Sequence, residues 1–328
     1  MGGYLSMKLK QVVVAAIEPT APFNFDATFF KPAHFASGDN FWERGVRWQT
    51  FRWQGKNLGV VFRNAGIVEK PKIAVEIWNG EKLVKRFVEE FVREIVYRYN
   101  LDFGLTEFYR EFSRDKVLGP AIKRIYGMRP GHQDSLYEYL IIGVVLQNCT
   151  VRRSIQMMQA LFESYGTLLE FDDKELWCFW EPGSLKSVSE EDLRGLKLGY
   201  RAKFIKRIDD QFGRAEIDEK KLRQSDRETQ MRELLKLYGV GPATVWYLLF
   251  DVFHQYDFFN HVSPWEQKIY SKVFFDRPVT DLVPVEKLLK YFEKFGKYRQ
   301  LAVHYVWEDL WWQHRKKPIP WLTREVRT

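Results

Sequence analysis

The chain has 328 residues, of which 45% are hydrophobic, 29% are charged and 16% are aromatic. This composition is typical of an ordered globular protein, and it excludes an intrinsically disordered or low-complexity chain. The formal net charge of +8 favours an anionic partner.

Two further features limit where the protein works. No apolar run reaches the roughly 18 residues that a membrane span requires, and residues 1–10 lack the apolar core of a signal peptide. The two cysteines, Cys149 and Cys178, are too few for an iron–sulfur or zinc site by themselves and are typical of a reducing compartment. We expect a soluble intracellular protein, either cytoplasmic and nucleoid-associated or nuclear, with no metal, no cofactor and no membrane contact.

Residues 1–100 have the pattern of an antiparallel β domain. Turn signals at 38–39, 54–56 and 79–80 separate runs of β-branched and aromatic residues. The predicted strands cover residues 10–17, 46–53, 57–64 and 72–78.

From residue 82 onward the apolar period becomes helical, so we predict an all-α domain over residues 101–314. Residues 315–328 are basic and punctuated by proline, which predicts an extended surface tail lying over an anionic partner. After the helix that begins near residue 82, the predicted helices cover residues 105–114, 119–126, 135–146, 151–165, 174–179, 190–196, 201–211, 219–222, 227–237, 245–253, 285–295 and 298–313.

Residues 234–272 are the stretch around which the helical part is organised. An apolar helix ends at Gly239-Val240-Gly241, and a second helix begins with Pro242 at its first position, where the missing N–H costs nothing. Small residues in such a turn let backbone N–H groups, including those of Ala243 and Thr244, approach a phosphate. An ordinary helical corner closed by glycine explains the turn equally well.

A third helix is predicted to begin at Ser263. Ser263, proline at the next position and Glu266 three residues later form the pattern of a capping box. The positive N-terminal end of this helix is expected to face whatever the hairpin holds.

Four segments in this order resemble the DNA glycosylases of the helix-hairpin-helix superfamily, in the branch of 3-methyladenine DNA glycosylase II and 8-oxoguanine DNA glycosylase. The hairpin LYGVGPATVWYLL is similar to their L-x-G-[VI]-G pattern, and LKLGYRAKFIKRI is similar to the segment that precedes it. The other two segments are YEYLIIGVVLQNCTVRRSIQMMQALFESYG and FGKYRQLAVHYVWEDLWW, which resemble a helix pair and the closing helix of that family.

The resemblance implies an α+β fold, with an antiparallel β domain followed by a helical glycosylase domain. It implies a monomeric DNA repair enzyme that flips a damaged base out of duplex DNA and cleaves its glycosidic bond. The expected partner is double-stranded DNA with a damaged base, of the alkylated or oxidised purine kind, or with an abasic site.

Polar residues in the corner of the helix pair are candidates for DNA contacts. Gln147 and Asn148 interrupt an apolar helix, and the resemblance assigns them to the gap left by the flipped base; a helix cap at Asn148 or Thr150 is an equal alternative. Arg152 and Arg153 follow at once and are expected to hold phosphates. Lys203 and Lys268 are either phosphate contacts or solvated charges.

The family's catalytic aspartate is replaced. In the family motif an aspartate precedes the third helix, and the matching position here is Ser263, whose hydroxyl supplies neither a negative charge nor a base at neutral pH. The nearest carboxylates are Glu266 and Asp257, with Glu266 also explained as the capping-box partner. The hairpin lysine of the bifunctional members is matched by Ala243, which favours a monofunctional enzyme.

Three aromatic residues are candidates to stack on the flipped base: Trp265, next to the missing aspartate, Trp246 and Phe30. The sequence leaves three functions open. The first is a DNA glycosylase, the second is a damaged-DNA-binding protein that has lost its chemistry with Ser263, and the third is an abasic-site lyase with a lysine outside the hairpin.

Overall fold

The computed structural model describes residues 5–325. Within that range no helix has both the length and the apolar character needed to cross a bilayer. The strands are β1 (Leu5–Lys8), β2 (Gln11–Ile17), β3 (Asn40–Glu43), β4 (Val46–Trp53), β5 (Lys56–Asn64), β6 (Ile73–Asn79), β7 (Thr167–Phe171) and β8 (Lys174–Cys178). The α-helices are α1 (Phe25–Phe29), α2 (Lys85–Arg98), α3 (Thr106–Phe112), α4 (Leu118–Arg124), α5 (Leu136–Leu146), α6 (Val151–Tyr165), α7 (Glu190–Gly195), α8 (Arg201–Gly213), α9 (Glu219–Arg223), α10 (Arg227–Leu234), α11 (Pro242–Asp251), α12 (Pro264–Phe275), α13 (Val285–Phe292), α14 (Arg299–Lys316) and α15 (Pro320–Glu325), with 3₁₀ helices at Ser184–Ser187 and Glu293–Tyr298.

The four strands predicted in the first hundred residues are confirmed as members of one antiparallel sheet. The sheet has the order β2-β6-β5-β4-β3, and β4 and β5 pair through a tight turn in which Trp53 opposes Lys56. Its inner face is aromatic and β-branched, and helix α2 packs on it through Phe87, Phe91 and Ile95. The fold class is therefore α+β.

The prediction of a helix over residues 174–179 is wrong, because this segment forms strand β8. It pairs with β7 in a hairpin in which Phe171 opposes Lys174, and the two turn residues, Asp172 and Asp173, both have positive φ. Aspartate tolerates that backbone, which matches the twist of a two-residue hairpin. The part of the chain after residue 100 is consequently not all helical.

This hairpin packs on the N-terminal sheet. Strand β1 pairs with β7 in parallel, and Phe171 covers Gly59 so closely that a Cβ there would lie 2.5 Å from its ring. Residues 167–178 thus join the β region from the middle of the chain, through a contact between positions far apart in sequence.

Helix α11 lies between the two apolar cores of the helical region. Trp246 and Phe250 face the core built on α3, α4 and α12 to α14, while Leu248 and Leu249 face the core built on α5 to α10. Because both sides of α11 are packed, the turn before it and the helix after it have fixed positions.

The basic tail differs from the predicted extended segment over its described part. Helix α14 continues to Lys316, and the chain then forms the short helix α15. Leu322 of α15 is fully buried, so this helix is docked on the protein. The rest of the tail, residues 326–328, lies outside the described residues.

Candidate active site

The hairpin between α10 and α11 leaves backbone N–H groups open to an anion. Gly239 has φ of +79°, and a Cβ built on it would lie 2.0 Å from the ring of Phe204, so the turn requires glycine here. Gly241 is the N-cap of α11, and no side chain of the described residues accepts a hydrogen bond from the start of this helix. The amides of Ala243 and Thr244 therefore remain available to a phosphate.

The capping box predicted at the start of α12 is present. The Ser263 Oγ accepts a hydrogen bond from the Glu266 N–H at 3.3 Å, and the Ser263 N–H donates to the Glu266 Oε2 at 2.8 Å. Glu266 is only 7% exposed, and the Tyr270 hydroxyl donates to its second oxygen at 3.4 Å. Both oxygens of Glu266 are thus engaged in holding the helix end.

A cleft of about 1050 Å³ opens beside Ser263. Its walls come from five parts of the chain: the loop after α1, the start of α6, the start of α12, the middle of α14, and α15. The lining residues are Pro32, Ala33, His34, Phe35, Asn148, Val151, Arg152, Ile155, Gln156, Ser263, Pro264, Trp265, Lys268, Trp307, Trp311 and Glu325.

One wall of the cleft is a cluster of three tryptophans. The ring of Trp265 lies 5.3 Å from that of Trp307, edge to face, and Trp307 lies 5.9 Å from Trp311. Trp307 and Trp311 are four residues apart on α14 and therefore share one face of that helix. Such a wall offers aromatic faces and edges to a flat ligand.

Five of the residues predicted from sequence meet in the cleft: Asn148, Arg152, Ser263, Trp265 and Lys268. Asn148 has φ of +48°, and its side-chain amide donates to the hydroxyl of Tyr200 at 3.3 Å. It therefore stands at the corner between α5 and α6 as a single residue in the left-handed region, a conformation that asparagine adopts more easily than most residues.

Other predicted DNA contacts lie around this corner but outside the cleft lining. The backbone carbonyl of Gln147 accepts a hydrogen bond from Arg201. Arg153 donates to the carbonyl of Lys197 at 2.6 Å, and the ammonium of Lys203 lies 5.8 Å from the ring of Tyr238, next to the hairpin turn.

Two of the predicted stacking residues are not brought to the cleft. Trp246 is 3% exposed and packs edge to face on Phe259 at 5.1 Å. Phe30 stacks on Trp42 at 4.4 Å, with the guanidinium of Arg315 over its ring at 4.7 Å. Both rings belong to packed clusters, and the tryptophans that line the cleft beside Trp265 are Trp307 and Trp311.

Asp257 also lies away from the cleft lining. Its carboxylate pairs with Arg227 at 2.7 Å, and its side chain is 48% exposed. This pair ties the loop before α12 to the first turn of α10.

His34 is a cleft residue that sequence reasoning did not select. Although its ring is open to the cleft, the surrounding walls desolvate it and, with the charges of Lys31 and Arg47, lower its pKa to about 4. At neutral pH it therefore presents an uncharged imidazole, which both donates and accepts hydrogen bonds. No periodicity or motif in residues 31–39 marked it.

Charged groups that are buried or partly buried surround Lys31, which belongs to the same loop as His34. The ammonium of Lys31, 7% exposed, donates to the carbonyl of Arg129 at 3.0 Å, and burial lowers its pKa against the opposing charges of Glu308 and Asp251. Burial also raises the pKa of Glu308 to about 7 and that of Asp251 to about 6. The hydroxyl of Tyr139 donates to Asp251 at 2.5 Å.

Comparison with known proteins gives the fold and its relatives. No protein-family model matches the chain. It is 25% identical over 185 residues to "DNA-3-methyladenine glycosylase" of Bacillus subtilis, an alignment that covers 56% of this chain but only 61% of that relative. It is 26% identical over 278 residues to "Probable N-glycosylase/DNA lyase" of Methanothermobacter thermautotrophicus, covering 77% of this chain and 88% of the relative.

A solved structure of 3-methyladenine DNA glycosylase from Archaeoglobus fulgidus superposes with a TM-score of 0.72 at 17% identity, covering 92% of this chain and 99% of the other. Likeness at that identity shows the fold. Taken together, these comparisons show that the chain is similar in sequence to DNA glycosylases and shares the fold of the Archaeoglobus enzyme.

Proposed function

We propose that this protein is an intracellular DNA N-glycosylase that flips a damaged purine out of duplex DNA and cleaves its bond to the sugar. The observation that carries the proposal is the cleft, in which Asn148, Ser263 and the tryptophan cluster of Trp265, Trp307 and Trp311 meet. The hairpin amides of Ala243 and Thr244 suit a DNA phosphate.

The cleft suits a flat, electron-poor base. Flipping costs a few kcal/mol of unstacking, and the cost is lower for a damaged base. A purine alkylated at N3 or N7 carries a positive charge, so it gains cation–π attraction to tryptophan faces and leaves as a neutral base. Such a substrate needs less catalytic assistance than a neutral purine does, which agrees with serine at position 263.

The roles assigned from sequence remain part of the proposal. Asn148, assisted by Gln147, fills the gap in the duplex, while Arg152, Arg153, Lys203 and Lys268 hold phosphates. The carboxylates nearest to Ser263 in sequence, Glu266 and Asp257, are candidates to stabilise the sugar cation, although Glu266 also holds the capping box and Asp257 pairs with Arg227.

Serine at position 263 also supports a second function, a protein that binds damaged DNA without cleaving it. Single-turnover incubation with duplexes carrying 7-methylguanine, 3-methyladenine, hypoxanthine, 8-oxoguanine, uracil or an abasic site separates the alternatives. If the protein produces strand breaks that appear only after alkali treatment, it is a glycosylase. If the breaks appear without alkali and borohydride traps a covalent adduct, it is a lyase. Tight binding without any cleavage indicates the binding protein.

A gain-of-function variant tests the site itself. Ser263→Asp restores the carboxylate that the family carries at this position and caps α12 as well as serine does, so we expect faster single-turnover excision by at least about tenfold, or about 1.4 kcal/mol of the barrier. Ser263→Asn is the matched control, since asparagine caps equally well without a charge. Equal rates for the two variants would exclude position 263 from the chemistry.

A further inference from the structure

We propose that Glu325 of helix α15 supplies the catalytic carboxylate that position 263 lacks. This inference rests on the proposed glycosylase function, in which the Glu325 carboxylate faces the sugar of the flipped nucleotide. Among the residues that line the cleft within the described chain, Glu325 alone carries a carboxylate.

The carboxylate is held by the helix that Ser263 caps. The ammonium of Lys268 lies 2.8 Å from the Glu325 Oε2, and the indole N–H of Trp265 donates to the Glu325 backbone carbonyl at 3.2 Å. Lys268 and Trp265 belong to the first two turns of α12 and both line the cleft. Glu325 is thereby tied to the end of the cleft at which the family carries its aspartate.

Helix α15 is docked firmly enough to position a reacting group. Leu322 is fully buried, and the Thr323 N–H donates to the Ile319 carbonyl at 2.9 Å. The Ile319 N–H in turn donates to Nδ1 of His314, in the last turn of α14, at 3.0 Å. The side chain of Glu325 is 17% exposed, so water screens its charge less than that of a surface carboxylate.

Glu325 has two tasks in this reaction, which are to stabilise a positive charge and to accept a proton. When the bond between C1′ and the base nitrogen breaks, its electron pair leaves with the base, and positive charge develops on the sugar. A carboxylate beside the sugar stabilises that charge. The oxygen of a water molecule then bonds to C1′, and the proton that it releases passes to the carboxylate and on to solvent. In this arrangement the ammonium of Lys268 orients the carboxylate and is not a phosphate contact.

The test is Glu325→Gln, assayed by single-turnover excision of 7-methylguanine from a duplex. The amide keeps the shape of the side chain but removes the charge, so we expect the rate to fall by about 10²- to 10³-fold, the usual loss for a group that stabilises transition-state charge. Affinity for a duplex that carries an uncleavable tetrahydrofuran abasic analogue, and the melting temperature, should stay at the wild-type values. Glu325→Asp, which keeps the charge on a shorter stem, should retain part of the rate.

Asp276→Asn is the matched control. It removes a carboxylate that pairs with Lys272 of the same helix at 2.6 Å, at the far end of α12 from the cleft, and whose side chain is 92% exposed. Asparagine also tolerates the positive φ of 53° at this position. This variant should excise at the wild-type rate.

The remaining outcomes overturn the inference in distinguishable ways. If the wild type excises a base and the Glu325→Gln variant does so at the same rate, Glu325 is not the catalytic carboxylate. The proposed glycosylase function would still stand. Tighter DNA binding by Glu325→Gln without loss of rate would make α15 a cover over the cleft, with no part in the chemistry. A wild-type protein that excises none of the bases rejects both the inference and the proposed function.

Discussion

Asp251, the last residue of α11, is a partly buried acid whose ionisation the fold opposes. Burial raises its pKa from 3.8 to about 6, against the hydrogen bond from Tyr139 and the charge of Lys31. Because the folded state holds the proton more tightly than the unfolded chain does, the stability that the protonated acid contributes is present below about pH 4 and is lost as pH rises through about 6.

Asp251→Asn keeps the hydrogen bond from Tyr139 but cannot ionise. We expect the variant to match the wild type near pH 4 and to exceed its free energy of unfolding at pH 8 by up to about 3 kcal/mol. Urea unfolding followed by tryptophan fluorescence at the two pH values measures the difference. A wild type that is more stable at pH 8 would show that attraction between Lys31 and Asp251 outweighs the cost of burial.

The hairpin before α11 carries two glycines with different physical roles, and the difference is testable. Gly239 has φ of +79° and stands against Phe204, so Gly239→Ala should lower the free energy of unfolding by at least about 1–2 kcal/mol from the backbone alone. Gly241 has φ of −103°, and no described atom lies within 4 Å of a Cβ built on it. Gly241→Ala should therefore fold normally.

DNA affinity then separates the two roles. In Gly241→Ala the added methyl group projects into the open space beside the hairpin amides, so we expect affinity for duplex DNA to fall by about tenfold, or about 1.4 kcal/mol, at an unchanged melting temperature. Fluorescence anisotropy at a fixed salt concentration measures the loss. Unchanged affinity would mean that the phosphate does not approach this turn.

The sheet region and the helical region are joined by a buried network of charges around Glu94 of α2. Arg223 of α9 forms two bonds of 2.7 Å with its carboxylate, and Arg98 donates a third at 2.7 Å. Although burial alone would raise it, the charges of Arg98 and Arg223 lower the pKa of Glu94 to about 2. Its contribution to stability is complete above about pH 4.5 and is lost as pH falls through about 2.

Glu94→Gln removes the carboxylate that Arg98 and Arg223 share, while Arg98 keeps Glu138 and Arg223 keeps Glu219 as a partner. We expect the free energy of unfolding to fall by roughly 1.5–3 kcal/mol at pH 7, with less further loss on acidification than the wild type shows. Glu90→Gln is the comparison, because Glu90 pairs with the exposed Arg86 on the same helix, and surface pairs contribute roughly 0–1 kcal/mol. Equal effects of the two variants would show that the network does not hold the regions together.

The sequence by itself determined the features that depend on near neighbours. The strand bounds 46–53 follow from β-branched and aromatic residues, and the capping box of Ser263 and Glu266 follows from a spacing of three. The turn at residues 239–241 follows from its two glycines, which end one helix before Pro242 begins the next. In each case the interacting atoms lie within a few residues of one another, so the local sequence is enough to predict the feature.

Only the tertiary structure decided what faces the cleft. Trp307 and Trp311 line the cleft and Trp246 does not, although all three are tryptophans on predicted helices and Trp311 belongs to the same core cluster as Trp246. Other features also depend on positions that are far apart along the chain. They are the packing of the hairpin that contains β8, the position of His34 in the cleft, and the ion pair between Lys268 and Glu325. Their partners are set by the packing of whole elements, which buries or exposes a side chain according to neighbours that local periodicity does not specify.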